Sequence, residues 1–405
     1  MVEGKETPKL TPASENIWYA LATIAWGMKK LGFDVQENNR YYWNGLMRQY
    51  LSDEKIAGLE DKDGNTITLP DLTEEDIADI RTVLDRTGFE GQNIPNAIAI
   101  FDFSRLEFSK QTQFEKFIFP RYASFSFSTF IKGANFKGAI FFDRVDFEET
   151  TFKGWAFFDE ARYKKDAVFS GAKFFSPVSF KGTKFSGFVD FCGSVFSSRT
   201  DCTSAVFSKH PPAFYDAKVS EDIRWEDAIF PKAKNVGTNS EKNELAVTLY
   251  DASRHKNAYE RLALMMSKLE KTHDKHMFFR YEMRVRRRLE SSWVSKSMNW
   301  FYDKSCHYGY DFGRALAWWF GHIVLGACLL FIPTPHNWAG FVNSVATSFA
   351  NAHSFLGLSR GPLKTVYADY AKWDLFNVIW TVQGLFGIMF LFFLILTIRN
   401  QFKMG

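Results

Sequence analysis

From Phe103 to Phe207 an aromatic side chain recurs at alternating intervals of five and six residues, an eleven-residue period held over twenty consecutive positions. One register holds Phe103, Phe114, Phe125, Phe136, Phe147, Phe158, Phe169, Phe180, Phe191 and Cys202. The other holds Phe108, Phe119, Phe130, Phe141, Phe152, Tyr163, Phe174, Phe185, Phe196 and Phe207. A second lane lies two residues earlier and is mostly small: Ala123, Ala134, Ala156 and Ala167 in one register, Ala139, Ala161, Ala172 and Ala205 in the other. No helix or two-faced strand has this period. A chain that turns a corner every five or six residues, and sends one large and one small side chain inward per side, stacks coil on coil as a solenoid. Four sides make a coil of 22 residues. The stretch then supplies nearly five coils, a rod on the order of 24 Å long at roughly 4.8 Å per coil.

This pattern resembles the pentapeptide-repeat family in its Phe-rich form. The resemblance implies a right-handed quadrilateral β-helix, placed here at residues 96–212, with Phe103, Phe125, Phe136, Phe147, Phe169 and Phe180 as core rather than ligand site. In the first coil the small lane fails, with Phe101, Leu106, Thr112 and Phe117, as expected of a terminal repeat. Cys202 sits in a Phe position and reads as a small buried hydrophobe. Pro211-Pro212 is expected to break the pattern soon after Phe207.

The rest of the 405 residues differs in kind. Residues 1–95 mix helical periodicity, as in Trp18, Leu21, Ala22 and Ala25, with a turn at Asp63-Gly64-Asn65 and a helix start at Asp71 to Glu75. They read as a small, mainly helical domain. Residues 213–300 read as a linker and a helical hairpin, roughly Lys242 to Lys271 and Asp274 to Ser291. Arg284, Arg286, Arg287 and Arg288 end the hairpin. Trp293, Met298, Trp300 and Phe301 follow, a combination suited to a helix lying on an anionic membrane surface. Within 301–405, Ala315 to Ile332 and Leu375 to Ile398 contain no Asp, Glu, Lys or Arg. Each is long enough to cross a hydrocarbon core of about 30 Å, with tryptophans near its ends.

Between these spans lies a semi-apolar segment, Phe341 to Ala352, too short to cross. Its small and hydroxyl side chains suit a helix that dips part-way in and returns over residues 339–361. Span, short helix, return loop and span resemble the two-helix pore-loop channels over roughly residues 310–405. The resemblance includes Tyr308-Gly309-Tyr310-Asp311-Phe312-Gly313-Arg314, Gln383 with Gly384 and Gly387, and Leu396-Thr397-Ile398-Arg399-Asn400-Gln401-Phe402. The whole arrangement resembles bacterial proteins that join a pentapeptide solenoid, a helical segment and an ion-channel-like domain. It implies a homotetramer in the inner (cytoplasmic) membrane, both termini cytoplasmic, with lipid, small ions and its own copies as partners. Ser348, Asn351, His353 and Ser354 would form the constriction, and Gln383, Phe386, Gly387 and Phe390 the inner-helix gate. Gln383 is expected to face the pore, although joining helices by hydrogen bonds is the alternative. His322 within the first span is either a functional ionisable group or a hydrogen-bonding one. No Thr-Val-Gly-Tyr-Gly filter lies between Ser348 and Gly361, so potassium selectivity does not carry over.

Two other functions compete. A membrane-anchored scaffold would use the solenoid to bind a protein and the spans as a tether, but has no use for a semi-apolar helix between them. A DNA mimic needs an acidic surface, whereas residues 97–215 hold 16 Lys or Arg against 12 Asp or Glu. A net charge of +4 does not argue for nucleic-acid binding. Phosphate-binding loops, H-E-x-x-H and nucleophile elbows are missing from the sequence, so neither an enzyme nor a cofactor or metal is expected. The four cysteines lack metal spacing.

Overall fold

In the computed structural model each inward ring lands on the ring one coil earlier. The structure describes residues 9–28, 34–60, 63–95, 100–231, 244–332, 337–353 and 374–404, in two compact units, Met1–Glu270 and Lys271–Gly405. The first unit contains four parallel sheets of seven, five, six and five strands, one for each side of the solenoid. Partners differ by 22 residues along the body, as in Val145↔Ala167 and Thr151↔Lys173. Phe103 and Phe125 stack with centroids 4.7 Å apart and planes 2° apart, and Phe141 repeats this with Tyr163 at 5.0 Å and 1°. Phe103, Phe125, Phe136, Phe147, Phe169 and Phe180 are all buried. Burial pushes the Cys202 thiol well up, as befits a core position.

The corners obey the same period. A residue with positive φ recurs every eleven positions, at Arg105, Lys116, Phe127, Gly138, Glu149, Glu160, Gly171, Gly182, Gly193 and Ser204. Six of these ten are not glycine, so the stacked coils impose a left-handed corner that a free chain avoids.

The solenoid does not end at Phe207. Asp216 and Asp227 continue the left-handed corners after a single interval of twelve. Strand partners then differ by 23, as in Val195↔Lys218 and Thr200↔Ile223. Pro211-Pro212 marks one inserted residue, which the corner absorbs. Phe214 stacks on Phe191 at 4.9 Å, Phe230 on Phe207 at 5.3 Å, and Trp225 is buried beside Phe214 at 6.0 Å. The sequence boundary at residue 212 therefore falls one coil short.

Residues 9–95 are a lid on the first coil, a correction to the separate domain expected. Strand Thr11–Pro12 pairs parallel with Leu106 and Glu107 and extends one sheet. Four helices follow: α1 (Ile17–Ala22), α2 (Val35–Arg48), α3 (Asp53–Ala57) and α4 (Glu74–Arg86). Asn16 caps α1 by accepting from Tyr19 N, and Thr73 with Asp76 forms a capping box on α4. Trp43 on α2 is fully buried against Phe101, Phe103, Phe117 and Phe119. Its Nε1 donates to Ile118 O at 2.8 Å, while Asn44 Oδ1 accepts from Ile118 N at 3.0 Å.

At the other end, α5 (Glu244–Lys268) belongs to this same unit, so the expected hairpin is divided between the two units. Tyr259 packs its ring on Phe230 and donates to Pro231 O, and the Arg254 guanidinium lies over Phe188. His255 and His210 meet nitrogen to nitrogen at 3.0 Å. Burial, His210 and Arg254 hold His255 down to about 4.

The second unit contains α6 (Thr272–Leu289), α7 (Trp293–Cys306), α8 (Phe312–Phe331), α9 (Trp338–Ala352) and α10 (Asp374–Met404). The hairpin's second half and the basic helix thus fold with the apolar helices. The expected return loop from Ser354 to Gly361 lies outside the described residues.

Two outcomes test the first unit. Phe136→Ala removes a ring stacked between Phe114 and Phe158 at 5.0 and 5.2 Å and should lower unfolding free energy by about 3–5 kcal/mol. Phe175→Ala, at a position 54% exposed, should shift it by less than about 0.5 kcal/mol. Denaturant titration of both checks this. A His255 pKa below its unfolded value means that stability is complete above pH 6.5 and declines as pH falls toward about 4. Protection factors of the α5 amides, taken relative to the intrinsic exchange rate at each pH, should fall as pH drops through that window in the parent, and less steeply in His255→Gln.

Candidate functional site

Among the described residues two helices are long and apolar enough to cross a membrane, Phe312–Phe331 and Asn377–Asn400, with only 28% and 22% of their apolar windows buried. They coincide with the spans predicted at 315–332 and 375–398. The turn into the first of them is tightly bonded. His307 and Tyr308 take left-handed backbone and Gly309 has φ +86°. Gly309 O accepts from Asn400 Nδ2 at 2.9 Å, which ties the start of α8 to the end of α10. Asp303, 8% exposed, pairs with Arg284 at 3.2 Å and with Arg287 at 3.7 Å. His307 lies against Arg284 and Arg314, and burial together with these cations lowers its pKa.

Helix α9 packs against both apolar helices, and its buried stripe is polar: Ser344, Thr347, Ser348 and Asn351. Gln383 on α10 is the hub. Its Nε2 donates to Ser348 Oγ at 2.6 Å, and its Oε1 accepts from Asn351 Nδ2 at 3.1 Å. Ser348 Oγ donates onward to Ile323 O on α8 at 2.7 Å, and Asn351 also donates to Trp380 O at 3.0 Å. The main-chain oxygen of Gln383 lies 2.9 Å from His322 Nε2. Gln383 thus joins α10 to α9 through its side-chain amide and to α8 through its main-chain oxygen. Where lipid surrounds a bundle, such groups must be satisfied inside it.

The predicted site residues divide accordingly. Ser348, Asn351 and Gln383 come together, but inside a single chain, each 6% exposed or less. Gln383 joins helices here and does not face an open side. Gly387 sits on the Ala352 backbone, where a Cβ would lie 2.5 Å from Ala352 Cα, so its smallness permits close packing. Phe390 is buried and stacks on Trp318 at 5.8 Å, whereas Phe386 is 41% exposed. His353 ends α9 with Nδ1 2.8 Å from Phe349 O and its ring beside Trp319. Ser354 lies outside the described residues. Ser344, Thr347 and Gly326 were not singled out. Gly326 faces the Gln383 side chain and Ser348 Oγ with no room for a Cβ, and a glycine amid a span was its only signal.

Elsewhere, a cleft of about 700 Å³ runs between the N-terminal lid and one solenoid side. Glu37, Arg40, Glu115, Lys116, Glu160 and Arg162 contribute carboxylates and cations in near balance.

Residues 114–162 match the family of pentapeptide repeats, described as nine copies, entirely within the solenoid. Together with the four stacked sheets, that makes the coiled part of the first unit a pentapeptide-repeat solenoid. No curated protein and no solved structure matches the chain.

Gln383→Leu removes both bonds to α9 and should destabilise the second unit by about 1–3 kcal/mol. Ile388→Leu, on an exposed position of α10, should be nearly neutral. Thermal unfolding in detergent checks the ranking.

Proposed function

We propose that the chain is an ion-conducting membrane protein of the two-span pore-loop kind, with the pentapeptide-repeat solenoid as its cytoplasmic scaffold or sensor. One observation carries this reading: a third helix, α9, is bonded by side chains to both candidate spans. Its 15 residues extend about 22 Å, too short for a hydrocarbon core of about 30 Å. A tether needs no such element. A helix that enters part-way and turns back delivers its C-terminal end, Asn351 to His353, to the interior of an assembly.

In this proposal four copies surround one path in the inner membrane, both termini lie in the cytoplasm, and the solenoid coils right-handed. Ser348, Asn351 and Gln383 fix α9 in each subunit. His353 lines the constriction. Phe386, on an uncovered side of α10, supplies a hydrophobic gate that closes by dewetting. Phe390 is held within its own subunit by Trp318 and Phe301.

The full chain purified in detergent should have the mass of a tetramer and should carry current in planar bilayers. Phe386→Ala should raise that current several-fold at equal protein. A monomer that passes no current overturns the proposal and leaves the anchored scaffold. For that second reading the solenoid offers Trp155 and Phe175, each 54% exposed on its outside.

A further inference from the structure

Helix α6 ends in Arg286, Arg287 and Arg288, and α7 begins at Trp293. The two helices fold back on each other: Arg284 pairs with Asp303, and Asn299 Nδ2 donates to Met283 O at 3.4 Å. Inside this elbow is an open groove of about 520 Å³ lined by Arg287, Arg288, Lys296, Ser297 and Trp300. Three cations converge on it, and no carboxylate is among its lining residues. Glu290, the nearest acid in sequence, pairs with Arg286 at 3.7 Å instead. Arg287 Nη1 is 3.7 Å from Asp303 Oδ2, too far for a hydrogen bond, and has no acceptor among the described residues.

The rim is the opposite in character. Trp293 is 77% exposed and Met298 69%, with Trp300 and Val294 also exposed. Large apolar side chains around a cationic groove complement a molecule with a phosphate at one end and hydrocarbon at the other. Indoles favour the depth at which those two parts join. The elbow also leads through the short 307–311 turn, tied to α10 by Asn400, into α8.

We infer that the α6–α7 elbow is a headgroup site for an anionic phospholipid, with the phosphate on Arg287, Arg288 and Lys296 and the acyl chains against Trp293, Met298 and Trp300. Small anions share the phosphate chemistry but cannot use the rim. The inference stands apart from conduction, since a non-conducting anchored protein would bind the same lipid.

The test uses the full chain in neutral detergent, titrated with dioleoyl phosphatidylglycerol, dioleoyl phosphatidylcholine or inorganic phosphate, with bound lipid counted by native mass spectrometry. Phosphatidylglycerol should bind in preference to phosphatidylcholine. The double variant Arg288→Gln with Lys296→Gln leaves the Asp303 ion pairs in place and should bind it about thirtyfold more weakly, at about 1 kcal/mol per charge. Arg288→Lys with Lys296→Arg should retain binding, and circular dichroism confirms that each variant is folded. Lys153→Gln, an exposed charge removed from the solenoid, should change nothing. Equal binding of the two lipids overturns the assignment. So does full affinity in the folded double variant, or displacement of phosphatidylglycerol by millimolar phosphate.

Discussion

The parallel backbone ladder of the solenoid sets a repeat near 4.8 Å, and the ring contacts fall in the same range, from 4.3 Å for Phe108 on Phe130 to 5.3 Å for Phe185 on Phe207. Hydrogen-bond spacing and aromatic contact distance therefore agree, and phenylalanine can fill column after column without shifting the register. The cost of this arrangement falls at the ends, where a coil faces no neighbour and its ladder groups have no partner. Along one side Ile140 N donates to Phe117 O of the coil before it. Ile118 has no such coil behind it. Asn44 Oδ1 and Trp43 Nε1 supply the missing acceptor and donor, while the Trp43 ring fills the core position. On another side, Thr11–Pro12 extends the ladder itself.

The second unit solves a different problem with the same rule. Its apolar helices bury little of their surface, so shape alone does not fix how α9 sits between them. Gln383 fixes it with directional bonds, and Gly326 and Gly387 let the backbones come close enough for those bonds to form. Without competing water, such a network is worth keeping only when each member is satisfied. Here Ser348, Asn351 and the Gln383 amide answer one another. Polarity accordingly gives position to a short helix whose buried stripe is polar and whose large apolar side chains, Phe341, Val342, Val345 and Phe349, are exposed.

The ring register was fully legible in the sequence because every coil repeats it, and both long apolar helices were legible because charge is missing from them. What escaped depends on contacts far apart in the chain. Trp43 and Asn44 look like part of any amphipathic helix until Ile118, more than seventy residues on, defines their role. Phe214, Trp225 and Phe230 continue the core, but one added residue moves them out of phase with the eleven-residue count. Gln383 could turn to either side of α10, and only Ser348 and Asn351 on another helix decide between them. The left-handed corners at Arg105, Lys116 and Phe127 give no signal at all, because polar and even aromatic residues occupy them in place of glycine.

The added residue before Phe214 gives the solenoid a direction and a fixed end. Coils between the first and that point are interchangeable in register, so duplicating or deleting 22 residues there would lengthen or shorten the rod by roughly 4.8 Å and leave both ends closed as before. Beyond Pro211-Pro212 the reading frame of the corners has moved by one, and a duplicated body coil grafted there would meet its neighbour out of step. Variation in length is thereby confined to the middle of the rod, and whatever each end holds keeps its own geometry while the separation between them changes in whole steps.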